Sequence, residues 1–86
     1  MRHIELKDFE KNIIKQFIEH LDSVDITFDK VHPYIHLEYN NEKTVLPMTF
    51  LEMNLLEHHT LPESKKIYIR ELIMKAYPEI VLECGA

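Results

Sequence analysis

The chain has 86 residues, 45% of them hydrophobic, with one Gly, four Pro and one Cys, and its 10 Lys plus Arg against 15 Asp plus Glu leave a formal charge of −5. A chain of this length builds one domain, expected to span residues 1–86, and its apolar content excludes a disordered or low-complexity protein. The single Cys84 excludes an intramolecular disulfide and a four-thiolate zinc frame.

The first residues lack the long apolar core of a secretory signal, and apolar runs elsewhere extend for only a few residues. With the lone cysteine, this gives the expectation of a cytoplasmic protein without membrane contact. The negative balance disfavours a general phosphate-backbone binder and favours basic protein surfaces as partners. The 6 histidines soften that balance near pH 6.

From Asp8 to about Leu21, Phe9, Ile13, Phe17 and Leu21 recur at intervals of four, and Ile14 and Ile18 widen the stripe. The pattern predicts an amphipathic helix with Asp8 as its N-cap and with Ile4 and Leu6 stapling its approach to the core. Asp22-Ser23 ends it. Val24, Ile26 and Phe28 then alternate with Asp25, Thr27 and Asp29 in a strand with one buried face.

A turn at Asp29-Lys30 leads to a second strand, in which Ile35, Leu37 and Tyr39 alternate with Tyr34, His36 and Glu38; Pro33 suits only its first residue or an edge. The next loop is centred on Asn40-Asn41 or Asn41-Glu42, since Asn tolerates positive φ. The first register sets Ile35 opposite Leu46 and Leu37 opposite Thr44. The second sets Ile35 opposite Met48 and Leu37 opposite Leu46, and both keep the same face inward.

Thr49-Phe50-Leu51-Glu52 has capping-box spacing and predicts a short helix from about Phe50 to His58, with Phe50, Met53 and Leu56 or Leu55 turned inward. Thr60-Leu61-Pro62-Glu63 opens a longer helix to about Ala76, buried along Tyr68, Ile69, Leu72, Ile73 and Ala76. Tyr77-Pro78 stops it. Residues 79–83 alternate Ile80 and Leu82 with Glu79, Val81 and Glu83, which reads as a packed tail or short strand.

The order helix, three strands, short helix, helix resembles the layout of double-stranded-RNA-binding domains, and Ser64-Lys65-Lys66 resembles their basic helix start. That resemblance implies nucleic-acid contact at Lys65 and Lys66, and Lys65, Lys66 and Arg70, neighbours on the last helix, are together the expected contacts to a phosphate backbone. The chain departs from the family where it carries Lys30-Val31-His32-Pro33 in place of a Gly-Pro-x-His type loop, and where its last helix is not Ala-rich. His32-Pro33, Glu38, Asn40, Pro47 and Arg70 also follow one another in a way similar to small phage and prophage accessory proteins. Size and acidity resemble phage inhibitors of host defence, including anti-CRISPR proteins. A third resemblance, to nucleases of the HicA toxin type, makes His36 the nearest equivalent of their strand histidine, although their Gly-Ser-His stretch is absent.

Read for chemistry, His32 and His36 share a strand face, but a metal site needs a third ligand, and His58-His59 diverge on a helix; ordinary surface histidines and no metal are expected. There is no Gly-rich phosphate loop, no paired carboxylate spacing and no nucleophile with a local base, so neither catalysis nor a cofactor is expected. Lys65, Lys66 and Arg70 otherwise read as a solvated helix face offset by Glu63 and Glu71.

The strongest reading is an α+β domain with a three-stranded antiparallel sheet packed against helices, in the order α-β-β-β-α(short)-α. It acts as a non-catalytic protein-binding domain, a phage-type inhibitor or adaptor on a basic surface of a host nucleic-acid-handling protein. Asp25, Asp29, Tyr34, His36 and Glu38 on the outer sheet face are the expected partner-binding residues, because Tyr among mixed charges on a flat surface suits protein recognition. The alternative is a nucleic-acid-binding domain using Lys65, Lys66 and Arg70, and a HicA-like RNase ranks third.

Overall fold

The computed structural model describes residues 1–84. Its elements are α1 (Asp8–Glu19), β1 (Asp25–Asp29), β2 (Tyr34–Tyr39), β3 (Glu42–Pro47), α2 (Phe50–His58), α3 (Pro62–Ala76) and α4 (Pro78–Glu83), with a 3₁₀ turn at Leu21–Ser23. The architecture is α+β: an antiparallel sheet in the order β1-β2-β3 with helices packed on one face.

Helix α1 starts one residue earlier than its sequence suggests. Lys7, not Asp8, occupies the N-cap position, and its backbone N–H donates to the Glu10 carboxylate at 3.0 Å. Asp8 falls in the first turn, where its charge still complements the helix dipole. The helix stops at Glu19 and the chain tightens: the His20 N–H makes the last four-residue bond, to Gln16 O at 2.8 Å, and the Ser23 N–H then reaches back only three residues, to His20 O at 3.0 Å, where the Ser23 hydroxyl also donates at 2.7 Å. Leu21 lies in this tighter turn and still packs on the core. Ile13, Ile14 and Phe17 are buried, whereas Phe9 is exposed.

Asn40 and Asn41 both have positive φ, 54° and 66°, which selects the two-residue loop and pairs Ile35 with Leu46 and Leu37 with Thr44. Such a loop is closed by a hydrogen-bonded pair, here Tyr39 and Glu42, and such pairs then recur at every second position. Ile35, Leu37 and Tyr39 therefore direct their main-chain groups to β3, and Tyr34, His36 and Glu38 direct theirs to β1. The Met48 N–H donating to Pro33 O at 2.7 Å continues that series. By the same alternation the peptide groups of Ile26 and Phe28 face away from β2, toward the free edge of β1. Those of Lys43, Val45 and Pro47 face the free edge of β3.

The inner face forms one core with α1, α2, α3 and α4, built from Val24, Ile35, Leu37, Leu46, Ile69 and Ile73 among others. Thr44, the buried polar residue, is satisfied because its hydroxyl donates to Glu10 Oε2 at 2.6 Å, so Glu10 joins the start of α1 to the middle of β3.

Helix α2 has the expected box: the Glu52 N–H donates to Thr49 Oγ1 at 3.1 Å, and the Thr49 N–H to Glu52 Oε1 at 2.9 Å. Met53 and Leu56 are buried, but Phe50 is 71% exposed, contrary to its expected inward position. It sits in the first turn and lines a surface depression with Arg2, Val31, Pro33, Tyr34 and Pro47 rather than the core. Leu61 rather than Thr60 precedes the first residue of α3, Pro62, whose ring presets the helical φ.

Residues 78–83 form helix α4, so the stretch is not the short strand expected as one alternative, and where it packs it does so as a helix. Ile80 is 1% exposed and Leu82 is 82% exposed. A strand would place both on one face, whereas the helical period separates them. Tyr77 is the elbow between α3 and α4. Its ring is buried, and its hydroxyl accepts from Ile4 N–H at 3.0 Å while donating to Ile4 O at 3.3 Å. Burial raises the Tyr77 pKa above the usual tyrosine range, against the opposing effect of the Ile4 hydrogen bond. No helix among the described residues is long and apolar enough to cross a membrane.

Candidate functional site

The face of the sheet opposite the helices carries three cross-strand rows: Asp25–Glu38–Lys43, Thr27–His36–Val45 and Asp29–Tyr34–Pro47. All five residues expected to meet a partner, Asp25, Asp29, Tyr34, His36 and Glu38, therefore lie on one surface. This follows from strand period alone, because each is an odd-numbered residue of β1 or an even-numbered residue of β2, and the register pairs the two sets.

The rows differ electrostatically. Glu38 is partly offset by Lys43 at 3.5 Å, an exposed pair of small energetic weight. Asp25 makes no ion pair among the described residues, and it borders a shallow depression of about 160 Å³ with Thr27, His36, Glu38 and Lys43. His36 stands between Thr27 and Val45 and has no hydrogen-bond partner among the described residues.

Asp29 also holds the loop that follows β1. Its Oδ1 accepts from the Val31 N–H at 3.1 Å and the His32 N–H at 3.2 Å. The His32 amide is the main reason its carboxyl titrates below the usual carboxylate range; slight desolvation opposes this, and the Val31 amide and the imidazoles of His32 and His36 add to it. Asp29 is thus a charge held in place by main-chain donors. His32 belongs to this loop rather than to the strand, so it does not form the strand-face pair with His36 that their spacing suggests; it lies within 3.8 Å of Asp29 Oδ2 and stacks on Tyr34 at 6.4 Å between ring centres.

Lys65 and Lys66 lie in the first half of α3 and Arg70, its ninth residue, just past the middle; all three are partly buried. Lys66 Nζ reaches Asp22 Oδ1 at 3.1 Å, so one of the three charges is already matched. Lys65 and Lys66 line a depression of about 280 Å³ with Ile26, Phe28 and Pro62, beneath the free edge of β1. His59 Nδ1 lies 2.6 Å from Ser64 Oγ, and its ring stacks on Tyr68 at 5.1 Å, which ties the end of α2 to the start of α3. Burial, and more weakly the charge of Glu52, raise the Tyr68 pKa. No group of three or more His, Cys, Asp or Glu side chains is arranged to hold a metal ion among the described residues.

Two features escape a reading by residue type. The β1 edge depends on strand order, which periodicity does not specify. The pairing of Lys66 with Asp22 spans 44 positions and has no local signal. Comparison with protein-family profiles, with characterised proteins and with solved structures finds no match.

Proposed function

We propose that the chain is a non-catalytic protein-binding domain whose outer sheet face docks on a basic surface of a partner protein. The observation that supports this is the clustering of three carboxylates, Asp25, Asp29 and Glu38, around Tyr34 and His36 on a single pleated face. A pleated face fixes side-chain positions at little entropic cost, and a 41% exposed Tyr34 supplies an amphipathic contact of the kind enriched in interfaces. In its most concrete form the protein is a small phage-type inhibitor or adaptor of the anti-CRISPR kind. It acts in the cytoplasm by occupying the nucleic-acid-binding surface of a host protein.

The test is capture from nuclease-treated bacterial lysate with the unmodified chain and with Tyr34→Ala/Glu38→Lys. A stoichiometric partner retained by the first and lost by the second is the expected result. Loss of all capture after nuclease treatment overturns the proposal. A second reading, nucleic-acid contact, has the presence of Lys65, Lys66 and Arg70 along α3 in its favour. Under that reading Lys65→Glu/Lys66→Glu abolishes a salt-dependent shift of duplex RNA, and the absence of any shift at low salt ends it.

A further inference from the structure

The free edge of β1 has the components of a strand-addition site. The alternation set by the Asn40-Asn41 loop leaves the peptide groups of Ile26 and Phe28 pointing away from β2. No main-chain hydrogen bond from another element reaches them among the described residues. On the inner side Ile26 and Phe28 are only partly buried, and the depression of about 280 Å³ beside them is lined by Pro62, Lys65 and Lys66. On the outer side the same strand presents Asp25 and Asp29, four residues apart, with Thr27 between them.

We infer that a partner protein adds an antiparallel strand to this edge, and that its recognition segment alternates cationic and apolar residues. Main-chain bonds to Ile26 and Phe28 supply the join, as in β-augmentation generally. The partner's outer-face residues, opposite Asp25 and Asp29, are Lys or Arg, because opposite charges across a ladder are favourable and like charges are not. Its inner-face residues are apolar and enter the depression under Lys65 and Lys66. This inference rests on the protein-binding reading and adds the mode of attachment and the chemistry of the attached segment.

Charge also decides between this partner and a second copy of the chain. In the self-pairing register centred on Thr27, which engages all five residues of β1, Asp25 of each copy faces Asp29 of the other. Two such like-charge pairs disfavour a homodimer through this edge. The same carboxylates line the outer side of the edge against a nucleic-acid backbone.

The probe is a synthetic capped peptide with the core Lys-Val-Thr-Ile-Lys, titrated into the full chain and followed by amide chemical shifts. Saturable shifts at the Ile26 and Phe28 amides are expected. N-methylation of the peptide's Val and Ile removes the donors that face β1 and weakens binding by about tenfold or more, whereas methylation of its Thr, whose N–H faces solvent, has a much smaller effect. Asp25→Asn/Asp29→Asn, which keeps an Oδ1 acceptor for the Val31 and His32 amides, weakens binding by roughly tenfold.

Equal binding by the Val/Ile-methylated peptide overturns strand addition but leaves docking on the outer face intact. Peptide binding that Tyr34→Ala/Glu38→Lys leaves unchanged, alongside lost protein capture, supports the β1 edge as a point of attachment separate from the outer face. Absence of any peptide-induced shift overturns the inference. So does dimerisation in sedimentation that Asp25→Asn/Asp29→Asn leaves unchanged, or protection of the Ile26 and Phe28 amides by duplex RNA instead of by the peptide.

Discussion

Along β3, Pro47 removes a donor from the outer edge, α1 packs against the strand, and Glu10 receives the buried Thr44 hydroxyl at 2.6 Å. Along β1 no proline interrupts the ladder, the inner side chains Ile26 and Phe28 remain half-buried, and a depression lies beneath them. The same sheet thus has one edge blunted and backed by a helix, and one edge open. Natural proteins restrict exposed edges because unpaired peptide groups recruit other chains. An edge left open, and marked by two aspartates that discourage self-pairing, is where specific recruitment is least compromised by self-association.

The largest change comes from removing the backing of β3. Phe17→Ala, at a fully buried position in α1, is expected to cost about 3–5 kcal/mol in urea unfolding and to expose both edges, so that aggregation at moderate denaturant rises with it. If Phe17→Ala unfolds the chain no more easily than substitution at an exposed position, α1 is not what secures β3. Next in size is Glu10→Ala, which leaves the Thr44 hydroxyl without its acceptor and the Lys7 amide without its cap. It is expected to cost about 1–3 kcal/mol, with part regained when Thr44→Val is added. A double-mutant cycle measures this directly.

On the β1 side the expected effect is local. The Asp29 carboxyl titrates below its ordinary value of 3.8, so its contribution to the loop is complete above that pH and disappears as pH falls through the lower folded value. Amide shifts of Val31 and His32 should move together in that acid window, and Asp29→Asn should remove the titration while keeping the turn. Independent titration of the two amides would show that Asp29 does not hold the loop. The smallest change is expected at Phe50, beside the end of the sheet where β2 begins and β3 ends. Phe50→Ala should alter stability by less than about 0.5 kcal/mol, because the ring lies outside the core.

Phe50 also shows where sequence reading loses its grip. The capping box located α2 to the residue, because Thr49 and Glu52 satisfy each other locally. Which way the first turn faces depends on where β3 ends, and no local pattern encodes that. Residues 79–83 fail for a related reason: over a few residues alternation and helical period fit the same apolar spacing, and the burial of Ile80 without Leu82 is decided by the position of α1 and α3. The sheet was legible because each strand has one polar and one apolar face, and this is also why the five outer-face residues emerge together. The register needed the backbone of Asn40 and Asn41, since either loop keeps the apolar side chains inward. Lys66 reads as part of a helix face offset by Glu63 and Glu71, whereas its counter-charge is Asp22, on the far side of the sheet in sequence.

The double contact of Tyr77 with Ile4 gives a non-strand segment the two main-chain partners that a neighbouring strand would supply. Residues near the start of a chain ordinarily open and close without disturbing the rest. Here the Ile4 amide should exchange with solvent deuterium at the pace of the α3–α4 elbow. Tyr77→Phe, which keeps the buried ring, should release that amide to rapid local exchange while Ile73 and Ile80 stay protected. A single phenolic oxygen thereby makes the opening segment part of the core's cooperative unit.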